Sequence, residues 1–205
     1  MLIVLAFVGI YIVRTAVSVA VQGVSDGSGM QYVKEWAAMF KNPMMWLNIA
    51  ALPINYFFVF IAFFGEEYGW RYYLQPVLQK RFGLRAGVII LGVVWGLWHI
   101  PDDLFYYTQT SGIQMIFAQQ ITCISLGIFF AYAYMKTQNI WVPVCLHYLN
   151  NNLIPIISGT FSADVLENQT VSWKDLPVAL VLNGLCFGFF LLADVFKKKE
   201  VQEEE

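Results

Sequence analysis

The sequence predicts an all-α, polytopic bundle of membrane-spanning helices. Of its 205 residues, 59% are hydrophobic and only 13% are charged, whereas a soluble domain has about a quarter charged residues. The mean hydropathy is +0.59, and long apolar segments recur along the chain. Because so few charges do not cover the surface of a soluble globule, we interpret residues 1–205 as a single integral membrane domain.

A helix needs about 20 mostly apolar residues to cross a bilayer. The apolar segments predict about six spanning helices, at 1–22, 44–65, 85–101, 113–135, 140–157 and 177–196. The first segment begins apolar at Met1 and has no basic residue before Arg14, unlike a signal peptide, so we expect it to span the membrane. We expect a connecting helix within 23–43 and a solvated, charged, cytoplasmic tail at 197–205.

Positive charge in short loops orients a membrane protein toward the cytoplasm. With six spans, three groups of basic residues fall on one side: Lys80, Arg81 and Arg85; Lys136; and Lys197, Lys198 and Lys199. Lys34 and Lys41 fall on the other side and count against this assignment. On balance we predict a multi-pass protein with both termini in the cytoplasm.

Composition also narrows the partners and cofactors. The net charge is −2 and the chain has no basic stripe, which argues against a nucleic-acid partner and leaves the lipid bilayer as the main surroundings. The three cysteines lie one each in three apolar segments. An odd, dispersed set without C-x-x-C spacing argues against a disulfide framework or a thiolate zinc site.

Ionisable residues in apolar segments are the strongest functional signal. A charge at membrane depth is costly unless it is paired, so it indicates a functional site. Glu66 and Glu67 directly follow the apolar run 47–65, and Arg71 lies just beyond. Glu67 and Arg71 are spaced i, i+4 and suit a salt bridge, while Glu66 lies about 100° around the helix. We predict a Glu67–Arg71 pair and a free Glu66 carboxylate; the alternative is a clamp between helices without chemistry.

Gly83 is predicted to be the apex of an antiparallel helical hairpin, because glycine is a helix stop signal. Glu66 lies 17 residues before it and His99 lies 16 after it, so both are about 24–25 Å from the turn. We therefore expect Glu66 and His99 to face each other. Trp95 lies one turn before His99 on the same face, and Pro101 is expected to end the helix.

His147 and Asn151 are also spaced i, i+4 within an apolar segment, so they share a helix face. The alternative role for His147 is a hydrogen bond between helices, which is worth about 1 kcal/mol. Asp102 and Asp103 follow Pro101, and we expect them to lie in a solvated loop.

Two chemistries suit this set of side chains, and both stay open. Two histidines and a carboxylate, here His99, His147 and Glu66, can bind zinc with one position left for water. Alternatively, Glu66 acts as a general base without metal, while His147 and Asn151 donate to the oxyanion. Either arrangement suits hydrolysis of an amide bond. The chain contains no H-E-x-x-H, so it is not a standard zincin.

Three motifs in this order resemble the signature of the CPBP intramembrane proteases, also called the CAAX protease and bacteriocin-processing, or Abi, family. They are Glu66-Glu67-x-x-x-Arg71, Trp95-x-x-x-His99 and His147-x-x-x-Asn151, within a matching core of about residues 45–155. The family includes the type II CAAX prenyl endopeptidases.

The resemblance implies an intramembrane metalloendopeptidase or glutamate endopeptidase that acts on a peptide or membrane-protein substrate. By resemblance the catalytic residues are Glu66, His99, His147 and Asn151, and the supporting residues are Glu67, Arg71 and Trp95. A cavity is implied that opens toward the cytoplasm, the side to which Gly83 is predicted to point. The short chain resembles bacterial members, which process peptides or serve in bacteriocin self-protection.

Two other hypotheses stay open at this point. One is a non-catalytic bacteriocin immunity or membrane scaffold protein that keeps the polar cluster for folding. The other is an ion or proton carrier, because buried glutamate and histidine side chains also build proton relays.

Overall fold

The computed structural model describes residues 1–25, 27–28, 30–159 and 163–197, and these ranges contain helices and no strand. The predicted all-α fold class is therefore confirmed. Most of the predicted charged tail, residues 198–205, lies outside the described residues. The α-helices are α1 (Leu2–Ser25), α2 (Gln31–Met39), α3 (Pro43–Glu67), α4 (Gln75–Phe82), α5 (Leu84–Trp98), α6 (Ile100–Phe105), α7 (Gly112–Thr137), α8 (Trp141–Ser158), α9 (Ala163–Glu167) and α10 (Asp175–Cys186).

Within the described ranges, four helical stretches are long and apolar enough to cross a membrane. They are Leu2–Ser25, Pro43–Phe82, Leu84–Phe105 and Gly112–Thr137, and they coincide with the first four predicted spans. The fifth corresponds to α8, in which His147 and three consecutive asparagines interrupt the apolar sequence. The sixth is shorter than predicted: α10 ends at Cys186, and 3-10 turns follow. Gly184 and Gly188 lie at this point, and glycine weakens a helix.

Helix α7 lies at the centre of the bundle, and residues 125–131 along it are buried without interruption. It packs most extensively against α5, because glycines let the two backbones approach. A Cβ atom on Gly92 would lie 2.6 Å from the Cα of Ile124, and one on Gly127 would lie 3.5 Å from the Cα of Gly92. Small residues allow the same close crossing in membrane helices generally, and this crossing fixes the helix that leads to His99.

The predicted helical hairpin is present, with Gly83 at its apex between α4 and α5. Its φ of +89° is a conformation that favours glycine. The two arms are so close that a Cβ on Gly87 would lie 2.6 Å from the backbone nitrogen of Gln79. The hairpin therefore depends on a glycine at the turn and another one turn later.

The arm before the apex runs continuously from α3 to α4, but Tyr68–Leu74 is π-helical. There the Gln75 N–H donates to the Trp70 carbonyl, five residues back. Pro76 is the physical reason, because it has no N–H and its ring clashes with the carbonyl four residues earlier. A wider turn relieves that clash, and such turns often lie at functional sites. The arm thus accommodates Pro76 through this π-helical segment.

The described members of the basic set that was predicted to share one side lie at one end of the bundle, which we call the basic end; Lys198 and Lys199 lie outside the described residues. The Gly83 turn, Arg85 and Lys197 line a common surface cavity. The Gln79 side chain donates to the Met135 Sδ at 3.2 Å, which places Lys136 beside the same turn. The opposite end carries α2, α6 and α9.

Candidate active site

A cavity of about 360 Å³ lies in the half of the bundle away from the basic end. Its wall comes mainly from α5, α7 and α8, together with Tyr106 and Tyr107 from the connection after α6 and Leu166 from α9. Four of the predicted site residues line it: Trp95, His99, His147 and Asn151. Residues far apart in sequence therefore meet at one concave site.

A buried carboxylate holds the His147 ring. The His147 Nδ1 donates to the Glu67 Oε1 at 2.9 Å, and both side chains are almost completely inaccessible. The rings of Phe63 and Trp95 pack edge-on against the imidazole, with centroids 5.2 and 5.3 Å away. Because an ionised carboxylate only accepts hydrogen bonds, Nδ1 carries the proton. Nε2 is then the nitrogen left for chemistry.

The predicted Glu67–Arg71 pair is confirmed. The Arg71 Nε lies 3.2 Å from the Glu67 Oε2, and both side chains are fully buried. The alignment is not that of a hydrogen bond, and the Arg71 nitrogens have no acceptor among the described residues. Instead, the guanidinium lies over the rings of Trp95 and Phe130, 5.0 and 5.4 Å from their centroids, and such cation–π contacts strengthen when desolvated. Glu67 thus joins Arg71 to His147.

Glu66 is half-buried, and its Oε2 has no hydrogen-bond partner among the described residues. This agrees with the prediction of a free carboxylate. Glu66 is not one of the residues that line the cavity, but it lies within electrostatic range of Arg71 and Cys123. Cys123 does line the cavity, and its Sγ is 3.8 Å from the His99 Nδ1. Glu66 is therefore close to the cavity wall without forming part of it.

His99 lies at the joint between α5 and α6. Its Nδ1 is 2.9 Å from the Trp95 carbonyl oxygen, so Nδ1 donates and Nε2 is left as an acceptor. The rings of Trp95 and Trp98 pack edge-on against it, with centroids 5.8 and 5.0 Å away. Trp95 therefore packs against His99, as its position on the same face predicts, and Trp98 does so in addition.

The predicted facing of Glu66 and His99 is met only approximately. The rings of Trp70 and Trp98 are 6.1 Å apart, so the two arms of the hairpin do meet beside His99. However, no hydrogen bond or ion pair joins Glu66 to His99 in the part of the chain that the structure describes. The prediction that they face each other assumed a regular α-helix from Glu66 to Gly83. The π-helical segment between these residues changes both the rise per residue and the direction in which side chains point.

The prediction that Asp102 and Asp103 lie in a solvated loop is wrong. Both belong to α6, and Asp103 is fully buried with neither carboxylate oxygen bonded to a described residue. Pro101 ends α5 as predicted, but it also starts α6, because proline is well accommodated in the first turn of a helix. Acidic residues are favourable at that position as well, beside the helix N-terminus.

Sequence reasoning missed most of the cavity wall, including the polar residues Asn150 and Tyr107. Asn150 lines the cavity, and its Nδ2 donates to the Asn151 Oδ1 at 2.8 Å; the polar run in an apolar helix was its signal. Tyr107 also lines the cavity, and nothing in its spacing indicated this. Burial, together with the carboxylates of Asp102 and Asp103, raises the pKa of Tyr107 to about 12. Its hydroxyl is therefore neutral near pH 7 and can donate a hydrogen bond.

The side chains present do not assemble the predicted zinc set of His99, His147 and Glu66. A catalytic zinc needs three protein ligands and an open position. In the described ranges, no group of three His, Cys, Asp or Glu side chains is close enough to hold a metal ion. Glu66 lies outside the cavity, so the carboxylate of the set is the ligand that is out of place. The bond from the His147 Nδ1 to Glu67 leaves Nε2 available and is itself compatible with metal binding.

The cavity does not lie on the side to which Gly83 points, which contradicts the expectation taken from the resemblance. Its lining includes the end of α5 and the second half of α8, and both lie away from the basic end. The hairpin itself is the reason. Glu66 and His99 are 17 and 16 residues from the apex, so they belong to its far end.

The buried pair predicts a sharp difference between the two adjacent glutamates. Glu67→Gln leaves the Arg71 charge buried without a counter-ion, so we expect the free energy of unfolding to fall by about 3–5 kcal/mol. Glu66→Gln is the matched control, because Glu66 has no such partner, and we expect a change within about 1 kcal/mol. Denaturant unfolding in detergent micelles measures both. An equal loss of unfolding free energy in the two variants would contradict the assignment of Glu67 as the buried partner of Arg71 and of Glu66 as the free carboxylate.

The middle of this chain is similar in sequence to known proteins. The family model for the Rce1-like type II CAAX prenyl endopeptidases matches residues 48–153, just over half of the chain, and this range contains every predicted site residue. The curated CAAX prenyl protease 2 of Methanococcus maripaludis is 27% identical over 125 residues, which cover 57% of this chain and 45% of that protein.

The aligned region thus spans less than half the length of that relative. No solved structure matches the chain significantly. The family resemblance expected from the three motifs is confirmed by the family match. The chain belongs to the Rce1-like family of type II CAAX prenyl endopeptidases.

Proposed function

We propose that this protein is an intramembrane endopeptidase that hydrolyses a peptide bond in the cavity lined by His99, His147 and Asn151. The observation that carries the proposal is the convergence of these polar side chains on one cavity within apolar helices. Membership of the family supports it, as does the name of the curated relative. The substrate class is a peptide or membrane protein, for processing or for bacteriocin self-immunity.

Glu66 is the general base in this proposal. Its carboxylate has an oxygen without a partner, so a change of rotamer toward the cavity breaks no hydrogen bond there. It takes a proton from the water that attacks the substrate carbonyl carbon, and it passes that proton to the amine when the C–N bond breaks. The free Nε2 of His99 accepts a hydrogen bond from the same water and orients it.

The oxyanion is stabilised from α8. The His147 ring can donate from Nε2 when both of its nitrogens carry a proton. The protonated His147 then donates from Nε2, and the Asn151 amide donates beside it. Donors placed where negative charge develops are usually the largest single contribution to catalysis.

Removing the base tests the proposal. In purified protein in lipid nanodiscs, we expect Glu66→Gln to lower kcat/KM by roughly 10²–10⁴-fold, the usual contribution of a general base. The substrates are a peptide library that includes prenylated CAAX peptides. Glu35→Gln is the matched control, because Glu35 is exposed and accepts a hydrogen bond from the Gln31 side chain at 2.8 Å, remote from the cavity. Undiminished cleavage by Glu66→Gln would exclude Glu66 as the base.

Metal dependence is a separate prediction, and the described side chains favour the metal-free glutamate mechanism. If that mechanism holds, elemental analysis of active protein finds no stoichiometric zinc, and chelators leave cleavage unchanged. The zinc alternative predicts about one ion per chain, lost in His99→Ala. Zinc at that ratio, together with chelator-sensitive cleavage, would replace the metal-free mechanism.

The second candidate is a non-catalytic immunity or scaffold protein. It is favoured by the complete burial of Glu67 and Arg71, which a purely structural clamp would also show. Glu66 distinguishes the two candidates, because a clamp has no use for a carboxylate without a partner. Cellular protection that persists in the folded Glu66→Gln variant would support the scaffold.

We also propose that the basic end faces the cytoplasm of a bacterial cell, with both termini on that side, because positive charge in short loops sets orientation. The cavity then lies in the outer half of the membrane.

Thr137→Cys and Gln109→Cys mark the two ends of the bundle at exposed positions. In intact cells, a membrane-impermeant maleimide should label Gln109→Cys more strongly than it labels the unmodified protein. It should label Thr137→Cys only after the cells are permeabilised. The reverse pattern would invert the orientation.

A further inference from the structure

A hydroxyl group from α1 reaches the candidate site on α8. The Tyr11 hydroxyl donates to the Asn150 Oδ1 at 2.6 Å, and the Asn150 Nδ2 donates to the Asn151 Oδ1 at 2.8 Å. Both asparagines line the cavity. The Tyr11 side chain is 5% exposed. A buried residue near the start of the chain is thus two hydrogen bonds from Asn151.

The direction of these hydrogen bonds decides which group of Asn151 is free. A side-chain amide has one accepting oxygen and one donating nitrogen. Because Tyr11 donates to the Asn150 oxygen, the Asn150 nitrogen is turned toward Asn151 and occupies its oxygen. The Nδ2 of Asn151 is then left to donate, and this is the group that an oxyanion requires.

The Tyr11 ring is itself held firmly. The rings of Phe7 and Phe187 pack against it, each with a centroid 5.0 Å away. The Arg14 guanidinium lies 5.8 Å from the ring centroid, and the Arg14 Nε donates to the Asn183 Oδ1 at 2.7 Å. A hydroxyl on a fixed ring is a rigid anchor for the first asparagine, and a site is well defined when its outer contacts are locked.

We propose that Tyr11 is a positioning residue that acts through Asn150 to direct the Asn151 amide into the cavity. The proposal rests on the proposed function, in which Asn151 stabilises the oxyanion. Tyr11 lies outside the range 48–153 that the family match covers, so the match says nothing about it. The first helix therefore contributes to the site as well as to the bundle.

Tyr11→Phe removes the hydroxyl and keeps the ring. We expect kcat to fall about tenfold with KM unchanged, less than the roughly 10²–10³-fold cost of losing an oxyanion donor. Tyr148→Phe is the matched control, because Tyr148 is also buried and donates one hydrogen bond, to the Leu52 carbonyl at 2.7 Å. A general loss of packing would affect both variants, whereas positioning affects only Tyr11→Phe.

A double-mutant cycle separates positioning from a structural effect. If Tyr11 acts through Asn151, then Tyr11→Phe has no further effect on kcat in an Asn151→Ala background, because coupled residues are not additive. An equal fall in both backgrounds would overturn the proposal. If Asn151→Ala is strongly impaired but Tyr11→Phe is not, Tyr11 has no positioning role and the proposed function stands.

A second readout does not depend on activity. In protein labelled with ¹⁵N-asparagine, the Asn151 side-chain amide signal, assigned with Asn151→Ala, should shift in Tyr11→Phe and stay in place in Tyr148→Phe. An unmoved signal would reject the hydrogen-bonded connection. If the wild type cleaves no substrate, the proposed function fails, while the amide signal still decides whether Tyr11 orients Asn151.

Discussion

The structure depends on one buried carboxylate, Glu67, whose two oxygens face two different partners. One accepts a hydrogen bond from His147 on α8, and the other lies 3.2 Å from Arg71 on the π-helical segment. An isolated charge in this position would cost several kcal/mol, so neither α8 nor the π-helical segment can move away without leaving a charge unpaired. The same contact that ties the helices together also sets the orientation of the His147 imidazole.

The surroundings of Arg71 show how a membrane bundle tolerates such a charge. Its nitrogens have no hydrogen-bond acceptor among the described residues, yet the rings of Trp95 and Phe130 cover the guanidinium at 5.0 and 5.4 Å. Trp95 also packs against both histidines. The Trp95 indole therefore has two roles: it stabilises the Arg71 cation, and it forms part of the cavity wall.

Sequence reasoning succeeded where contacts are local or follow from composition. The all-α class followed from apolar content, the Glu67–Arg71 pair from i, i+4 spacing, and the hairpin from Gly83. It allowed His147 a hydrogen bond between helices but did not identify Glu67 as the partner, because no spacing relates residues 80 positions apart. It also misjudged Asp103, since a proline that ends one helix starts the next. The Glu66–His99 registry was only approximate, because Pro76 changes the helical phase between them.

The position of the site along the bundle follows from the same constraints. Gly87 and Gly92 hold α5 in close contact with α4 and α7 toward the basic end, so the cavity found there lies on the surface beside the Gly83 turn and not between these helices. Polar side chains are least costly near a membrane boundary, and the asparagines of α8 lie in its second half, toward the opposite end. The bundle is closely packed toward the basic end, and polar side chains are tolerated at the opposite end. The polar cavity therefore lies where water can reach it. A hydrolase requires that access, whereas a sealed structural clamp does not.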